Sequence, residues 1–168
     1  MALGELREIR KLELPDTVPL SPILDLWDQQ EPSGPDATGI YDFYRNLADG
    51  ELTTTKCKGC GKLLFPPVII CPHCNGNDME WVKIPEEGEL YAFTELKLGA
   101  PIIVENYAPF VIAIARFGNY PENGVQLSGM MFDVRYEDLK IGDRVRWNIL
   151  EIVGPGDKVR YWYYFRKV

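Results

Sequence analysis

The chain holds one histidine, four cysteines and three serines in 168 residues, so the side chains that most often carry nucleophilic chemistry are scarce. That scarcity argues against a nucleophile–base pair, which needs a serine or cysteine beside a histidine. Positive charge is also short, with 18 basic against 25 acidic side chains and a net charge of -7. Such a balance excludes nucleic-acid binding by bulk electrostatics and leaves open only a local basic patch. Long apolar runs are missing as well. The longest, Val68-Ile69-Ile70 and Phe110 to Ala115, fall far short of the roughly 20 residues a membrane helix needs. The opening Met1-Ala2-Leu3-Gly4-Glu5 turns charged at once, without the apolar core of a signal peptide, so a soluble cytoplasmic protein is expected.

What remains is an ordinary globular composition, 46% hydrophobic, at a length that supports one core or two small modules. Prolines at 15, 19, 22, 32 and 35 cut the N-terminal region into short pieces. Ser21-Pro22 followed by Ile23, Leu24 and Trp27 predicts a helix ending near Gln30, and residues 31–35 read as a linker. Ile40, Phe43, Tyr44 and Leu47 fall at i, i+3, i+4 and i+7. They predict a helix over about residues 38–49, closed by Gly50 and packed within the chain. From Glu51 the texture becomes β-branched and aromatic. Five strand-like runs, Leu90–Leu98, Phe110–Phe117, Val125–Phe132, Arg144–Val153 and Val159–Phe165, predict a small closed or partly open barrel. The expected divisions are a helical segment over 1–50, a cysteine-bearing module over 51–84 and the barrel over 85–168.

All four cysteines sit in one constellation. Cys57-Lys58-Gly59-Cys60-Gly61 and Cys71-Pro72-His73-Cys74-Asn75-Gly76 are two Cys-x-x-Cys knuckles, and two facing knuckles bring four thiolates into a tetrahedron suited to zinc. Iron fits the same sulfur set, whereas disulfides need an oxidising compartment and a redox pair needs only one knuckle. Cys57, Cys60, Cys71 and Cys74 are therefore the expected ligands of a structural metal, closed to a water nucleophile. His73 lies inside the second knuckle and reads as a solvated side chain.

Catalytic machinery is hard to assemble from what is left. The acidic pairs Glu86-Glu87 and Glu137-Asp138 sit in polar, turn-like context and read as solvated surface, and Gly154-Pro155-Gly156-Asp157 reads as a hairpin loop. An independent enzyme is not expected. In the last strand, alternation places Val159, Tyr161, Tyr163 and Phe165 on one face and Arg160, Trp162, Tyr164 and Arg166 on the other. The second face mixes guanidinium with aromatic rings, which suits an adenine nucleotide or single-stranded nucleic acid, and equally suits packing under the N-terminal helices. Arg144 and Arg146 on the preceding strand would extend it. Charge is unevenly spread: residues 1–50 carry 4 basic and 10 acidic side chains, whereas Lys140 to the end carries 7 basic against 3 acidic.

Residues 41 to about 153 resemble a known family. Tyr41-Asp42-Phe43-Tyr44, Gly50-Glu51-Leu52, the two knuckles with Pro66-Pro67 between them, Glu80-Trp81, Gly88 to Thr94, Pro109 to Ala115 and Leu139 to Val145 match it in order and spacing. It is the zinc-ribbon plus OB-fold, acyl-CoA-associated family, long catalogued as a domain of unknown function. The resemblance implies a mainly β protein with N-terminal helices, a rubredoxin-like zinc ribbon and a five-stranded OB-fold barrel. It also implies an accessory subunit of a thiolase-like or hydroxymethylglutaryl-CoA synthase-like enzyme that helps to bind coenzyme A or acyl-CoA, with the four cysteines as zinc ligands. The sequence departs from the family pattern at Val68, where a basic residue is common, and in the extension over 1–40. A single-stranded nucleic-acid-binding OB-fold is the alternative expectation.

Overall fold

The spacing of Ile40, Phe43, Tyr44 and Leu47 is realised as helix α1, Tyr41–Ala48, and Gly50 at φ +81° turns the chain out of it. The computed structural model describes residues 10–13, 38–98, 107–153 and 159–168. The helix expected near Ser21–Gln30, the linker at 31–35 and the loop at 154–157 lie outside them. Phe43, Tyr44 and Leu47 are buried, so the apolar face of α1 is core, as its periodicity predicts. Its ring contacts run to Phe65 at 6.1 Å and Trp162 at 5.8 Å, both edge to face. Among the described residues no helix is long and apolar enough to cross a membrane.

Three strands form the ribbon, β2 (Thr53–Cys57), β3 (Leu63–Leu64) and β4 (Met79–Lys83), antiparallel in the order β3-β2-β4. Strand β2 begins with three consecutive buried threonines, Thr53, Thr54 and Thr55. A buried hydroxyl costs free energy unless it is hydrogen-bonded, and each of these is. Thr53 accepts from the Asn46 side chain of α1, Thr54 donates to the Leu64 carbonyl, and Thr55 accepts from the Val68 N–H. The central ribbon strand is thereby tied to the helix, to its neighbour strand and to the loop that leads to Cys71.

The five strand runs of the second half become β5 (Glu87–Leu96), β6 (Phe110–Asn119), β7 (Asn123–Met131), β8 (Arg144–Val153) and β9 (Val159–Lys167). They hydrogen-bond in the order β5-β6-β7-β9-β8 and β8 returns to β5, closing the ring. The β7–β9 contact is parallel and rests on Met131 opposite Phe165, whereas the other ring pairings are antiparallel. This is the order of a five-stranded OB barrel. A further strand, β1 (Arg10–Glu13), lies parallel to β8 outside the ring.

The barrel is filled by Leu90, Phe117, Leu127, Met131, Val145, Trp147, Ile149 and Phe165, against small Ala113 and Ala115. Gly129 leaves room for two rings, since a Cβ there would lie 3.0 Å from Phe165 and 3.3 Å from Tyr163. The same core includes Phe43 and Leu47 of α1 and takes in Leu52 and Ile84 at the ends of the ribbon, so helix, ribbon and barrel share one interior. The joint is fixed by the Ile84 N–H on the Leu52 carbonyl at 2.9 Å and the Trp147 indole N–H on the Pro85 carbonyl at 2.8 Å.

Gly88 sits where β5 passes β6, and a Cβ there would lie 2.3 Å from the Arg116 carbonyl oxygen and 2.7 Å from Phe117. Backbone cannot yield as a flexible side-chain tip can. Gly88→Val is therefore expected to cost at least about 1–3 kcal/mol, read as a lowered urea midpoint. An unchanged midpoint would show that the strands separate without penalty.

Candidate metal centre and surface sites

The two knuckles are copies of one backbone design. In the first, the Gly61 N–H bonds the Cys57 carbonyl at 2.7 Å and the Cys57 N–H bonds the Lys62 carbonyl at 2.9 Å. In the second, the Asn75 N–H bonds the Cys71 carbonyl and the Cys71 N–H bonds the Gly76 carbonyl, both at 2.8 Å. Each turn needs a left-handed residue just after its second cysteine. Gly61 at φ +74° and Asn75 at φ 57° supply it, and asparagine tolerates that region better than most residues. Gly59 and Gly76 act differently: a Cβ on either would sit against sulfur, 3.6 Å from Cys57 Sγ at Gly59 and 3.3 Å from Cys74 Sγ at Gly76.

Four Sγ atoms, of Cys57, Cys60, Cys71 and Cys74, lie within 4.8 Å of one another. The Cys57–Cys74 and Cys60–Cys71 separations are 3.5 and 3.6 Å. Zn–S bonds of about 2.3 Å put tetrahedral sulfurs about 3.8 Å apart, so the set fits zinc. Cys57 and Cys71 are buried and Cys60 and Cys74 exposed, which places the centre at the ribbon tip. The Lys62 N–H points at the Cys60 sulfur and the Gly76 N–H at that of Cys74. Each such bond by itself favours the thiolate, against burial and the neighbouring sulfurs, which together hold both thiols above the ordinary cysteine value. His73 is exposed and is not one of the grouped ligands. Around the sulfurs the ribbon's own apolar cluster is small: Cys57, Leu64 and Cys71, flanked by Val68 and Met79.

Of the six residues read as a ligand face, Arg146 and Arg166 stand opposite each other across the β8–β9 ladder, with Arg166 half-buried. Arg144 and Arg146 converge on Glu87, Arg146 Nη2 lying 2.6 Å from Oε1 and Arg144 bonding Oε2. Glu87 is thus an ion-pair acceptor at the start of β5, and the reading of Glu86-Glu87 as merely solvated is corrected for Glu87. Arg160 and Tyr164 are 8% and 1% exposed. Tyr164 packs with Phe132, Leu150 and Ile152 in a second apolar cluster on the outer side of the barrel. Trp162 is half-buried, edge-on to Phe43 of α1 and stacked on Tyr163. Strand β9 is therefore packed on both faces, and its even-numbered rings form no open stacking platform. Alternation cannot show this, because it separates two faces without saying which of them is covered.

One constellation escaped the sequence reading. Arg116 on β6 lies with its guanidinium carbon 3.5 Å from the ring centre of Tyr91 and 4.8 Å from that of Tyr120, and its Nε donates to Gln126 Oε1 at 3.1 Å. Tyr91 is the extra residue of a β-bulge: Leu90 pairs with Ala115 and Ala92 with Ile114, leaving Tyr91 with no opposite residue. A bulge re-aims a side chain, and no period-2 reading anticipates it.

A four-cysteine ribbon joined to a closed OB barrel defines the class of protein. Residues 47–80 match the family model described as ChsH2, rubredoxin-like zinc ribbon domain, and residues 81–149 match ChsH2, C-terminal OB-fold domain. A DUF35 domain-containing scaffold protein of Methanocaldococcus jannaschii is 32% identical over 120 residues, 70% of this chain and 82% of the relative. The benzoylsuccinyl-CoA thiolase subunit BbsA of Thauera aromatica is 38% identical over 69 residues, 39% of this chain and 48% of that protein. The chain belongs to the DUF35 family of zinc-ribbon plus OB-fold proteins. Among solved structures, the Ltp2-ChsH2(DUF35) aldolase superposes with TM-score 0.63 at 22% identity, covering 76% of this chain and 93% of that one. That likeness supports the fold.

Two outcomes follow. Pure folded protein should carry about one metal ion per chain, and a strong chelator or Cys60→Ser should unfold the ribbon, because the binding free energy of such a metal is folding free energy. Folded, metal-free protein with native hydrogen-exchange protection over 53–83 would contradict this. Glu87 is held below the ordinary carboxylate range by its hydrogen bonds from Arg146 and Arg144. Its contribution is present above the unfolded carboxylate value, near pH 4, and fades as pH falls through the lower folded value. Glu87→Gln should therefore show a shallower loss of stability in acid than the wild type, read from urea midpoints between pH 2 and 6; parallel curves would remove the pair from the account.

Proposed function

We propose that this protein is a non-catalytic accessory subunit that docks on a thiolase-like enzyme acting on acyl-coenzyme A, with zinc as the structural metal of its ribbon. The observation that carries this is the joint one of family membership and a filled coordination shell. Relatives along most of the chain are named scaffold proteins and one over part of it is named a thiolase subunit. Four cysteines occupy all four positions of a tetrahedral zinc, so this metal would fold the ribbon and offer no site for a bound water. For contact with coenzyme A, the reading favours the exposed side of the Arg144–Arg146 pair, whose side chains are 70% and 47% exposed. Guanidinium groups there suit phosphate.

The alternative of a single-strand nucleic-acid binder is disfavoured by the burial of Tyr164 and the packing of Trp162, since stacking platforms need accessible rings. Affinity isolation of the chain from its native host at physiological salt, with mass spectrometry of the recovered proteins and of coenzyme A in the denatured extract, tests the reading. A thiolase-like enzyme in near-stoichiometric amount is the expected result. Recovery of the chain alone would refute it.

A further inference from the structure

We infer that the Tyr91–Arg116–Tyr120 cluster is the anchor of a protein-docking surface that receives an aspartate or glutamate carboxylate from the partner subunit. The inference rests on the accessory-subunit reading and says which part of this chain makes the contact. Arg116 is half-buried, and its guanidinium lies over the ring of Tyr91 and close to that of Tyr120. Gln126 takes its Nε–H, so the side chain is held in one place while its terminal nitrogens keep donor capacity. Glu89 is its register partner across the β5–β6 ladder. Even so, among the described residues no carboxylate forms an ion pair with Arg116. The arginines at 45, 135, 144 and 146 each pair with an acid.

A partly desolvated cation with no ion-paired acid among the described residues is costly in isolation and becomes favourable once an oxyanion arrives. Pre-fixing by the rings lowers the entropy lost on binding. Tyr91 and Tyr120 are 42% and 38% exposed, and tyrosine and arginine are, with tryptophan, the residue types enriched in binding hot spots. The bulge that turns Tyr91 onto Arg116 is a second and independent feature, since it interrupts the β5–β6 ladder at the very residue that completes the clamp. A protein partner is favoured over a nucleotide. The guanidinium already covers one face of Tyr91, which halves the ring surface left for a base to stack on. Along the same outward side of β6 the strip continues with half-buried Ile114 and Ile112, which belong to none of the described apolar clusters. An apolar strip with one fixed cation at its end fits a protein surface presenting an acid beside apolar side chains.

The complex isolated from the native host provides the test. Full-length wild type, Arg116→Ala, Arg116→Lys and, as a control at another surface arginine, Arg135→Ala are titrated into the separated partner enzyme by calorimetry. Circular dichroism and melting of each free variant check the fold. Arg116→Ala should weaken binding at least about tenfold, and Arg116→Lys should not restore it, because lysine lacks the planar fork. Arg135→Ala should bind as wild type. Phenylglyoxal should modify Arg116 in the free chain and be excluded from it in the complex. Equal affinities for wild type and Arg116→Ala, or equal reactivity free and bound, would overturn this surface while leaving the subunit reading intact. Recovery of the chain without a partner would overturn both, and binding of a labelled oligonucleotide that is lost in Arg116→Ala would assign the clamp to nucleic acid instead.

Discussion

The convergence of four sulfurs within 4.8 Å at the tip of the ribbon is the constraint from which the other local choices follow. The ribbon's own apolar cluster has three buried members, two of them the ligands Cys57 and Cys71. A patch that small stabilises little by itself, so metal–thiolate bonding must hold the knuckles. The neighbourhood is built to permit it. Gly76 stands where a Cβ would press on sulfur, left-handed residues stand where each turn must reverse, and amide hydrogens point at the exposed sulfurs of Cys60 and Cys74. Away from the tip the ribbon leans on its neighbours: Leu52 and Ile84 enter the barrel core, and Thr53 bonds to the helix.

That sharing of one interior explains the behaviour of β9. In an isolated barrel one face of a strand meets the core and the other meets water. Here Tyr163 and Phe165 point inward, while Tyr164 lies in an outer cluster with Phe132, Leu150 and Ile152. The open chemistry of the barrel lies elsewhere. It is found on the outward side of β5 and β6, where a bulge and a turn bring Tyr91 and Tyr120 to Arg116, and at the end of the ring, where Arg144 and Arg146 meet Glu87. An accessory subunit needs surfaces of this kind, fixed in geometry, more than it needs a deep pocket.

Much of this was legible in the residues. The helix at Tyr41–Ala48 follows from four apolar positions and a glycine, and all five barrel strands coincide with runs of β-branched and aromatic residues bounded by turn formers. The metal ligands are set by spacing, because two Cys-x-x-Cys knuckles bring four thiolates to one point. Strand closure into a ring was only half legible: five strands allow an open or a closed sheet, and the Met131–Phe165 contact that completes the circle joins residues 34 apart in the chain.

Composition and local pattern therefore determined the element types, the four-cysteine site and the scarcity of catalytic side chains, because each depends on neighbours within a few residues. Tertiary structure alone decided which face of β9 is covered, which acid Arg144 and Arg146 share, and that Arg116 lies against two tyrosines with no ion-paired acid among the described residues. Those outcomes depend on a one-residue bulge, on a register and on elements packed from distant parts of the chain, and period-2 alternation carries no information about any of them.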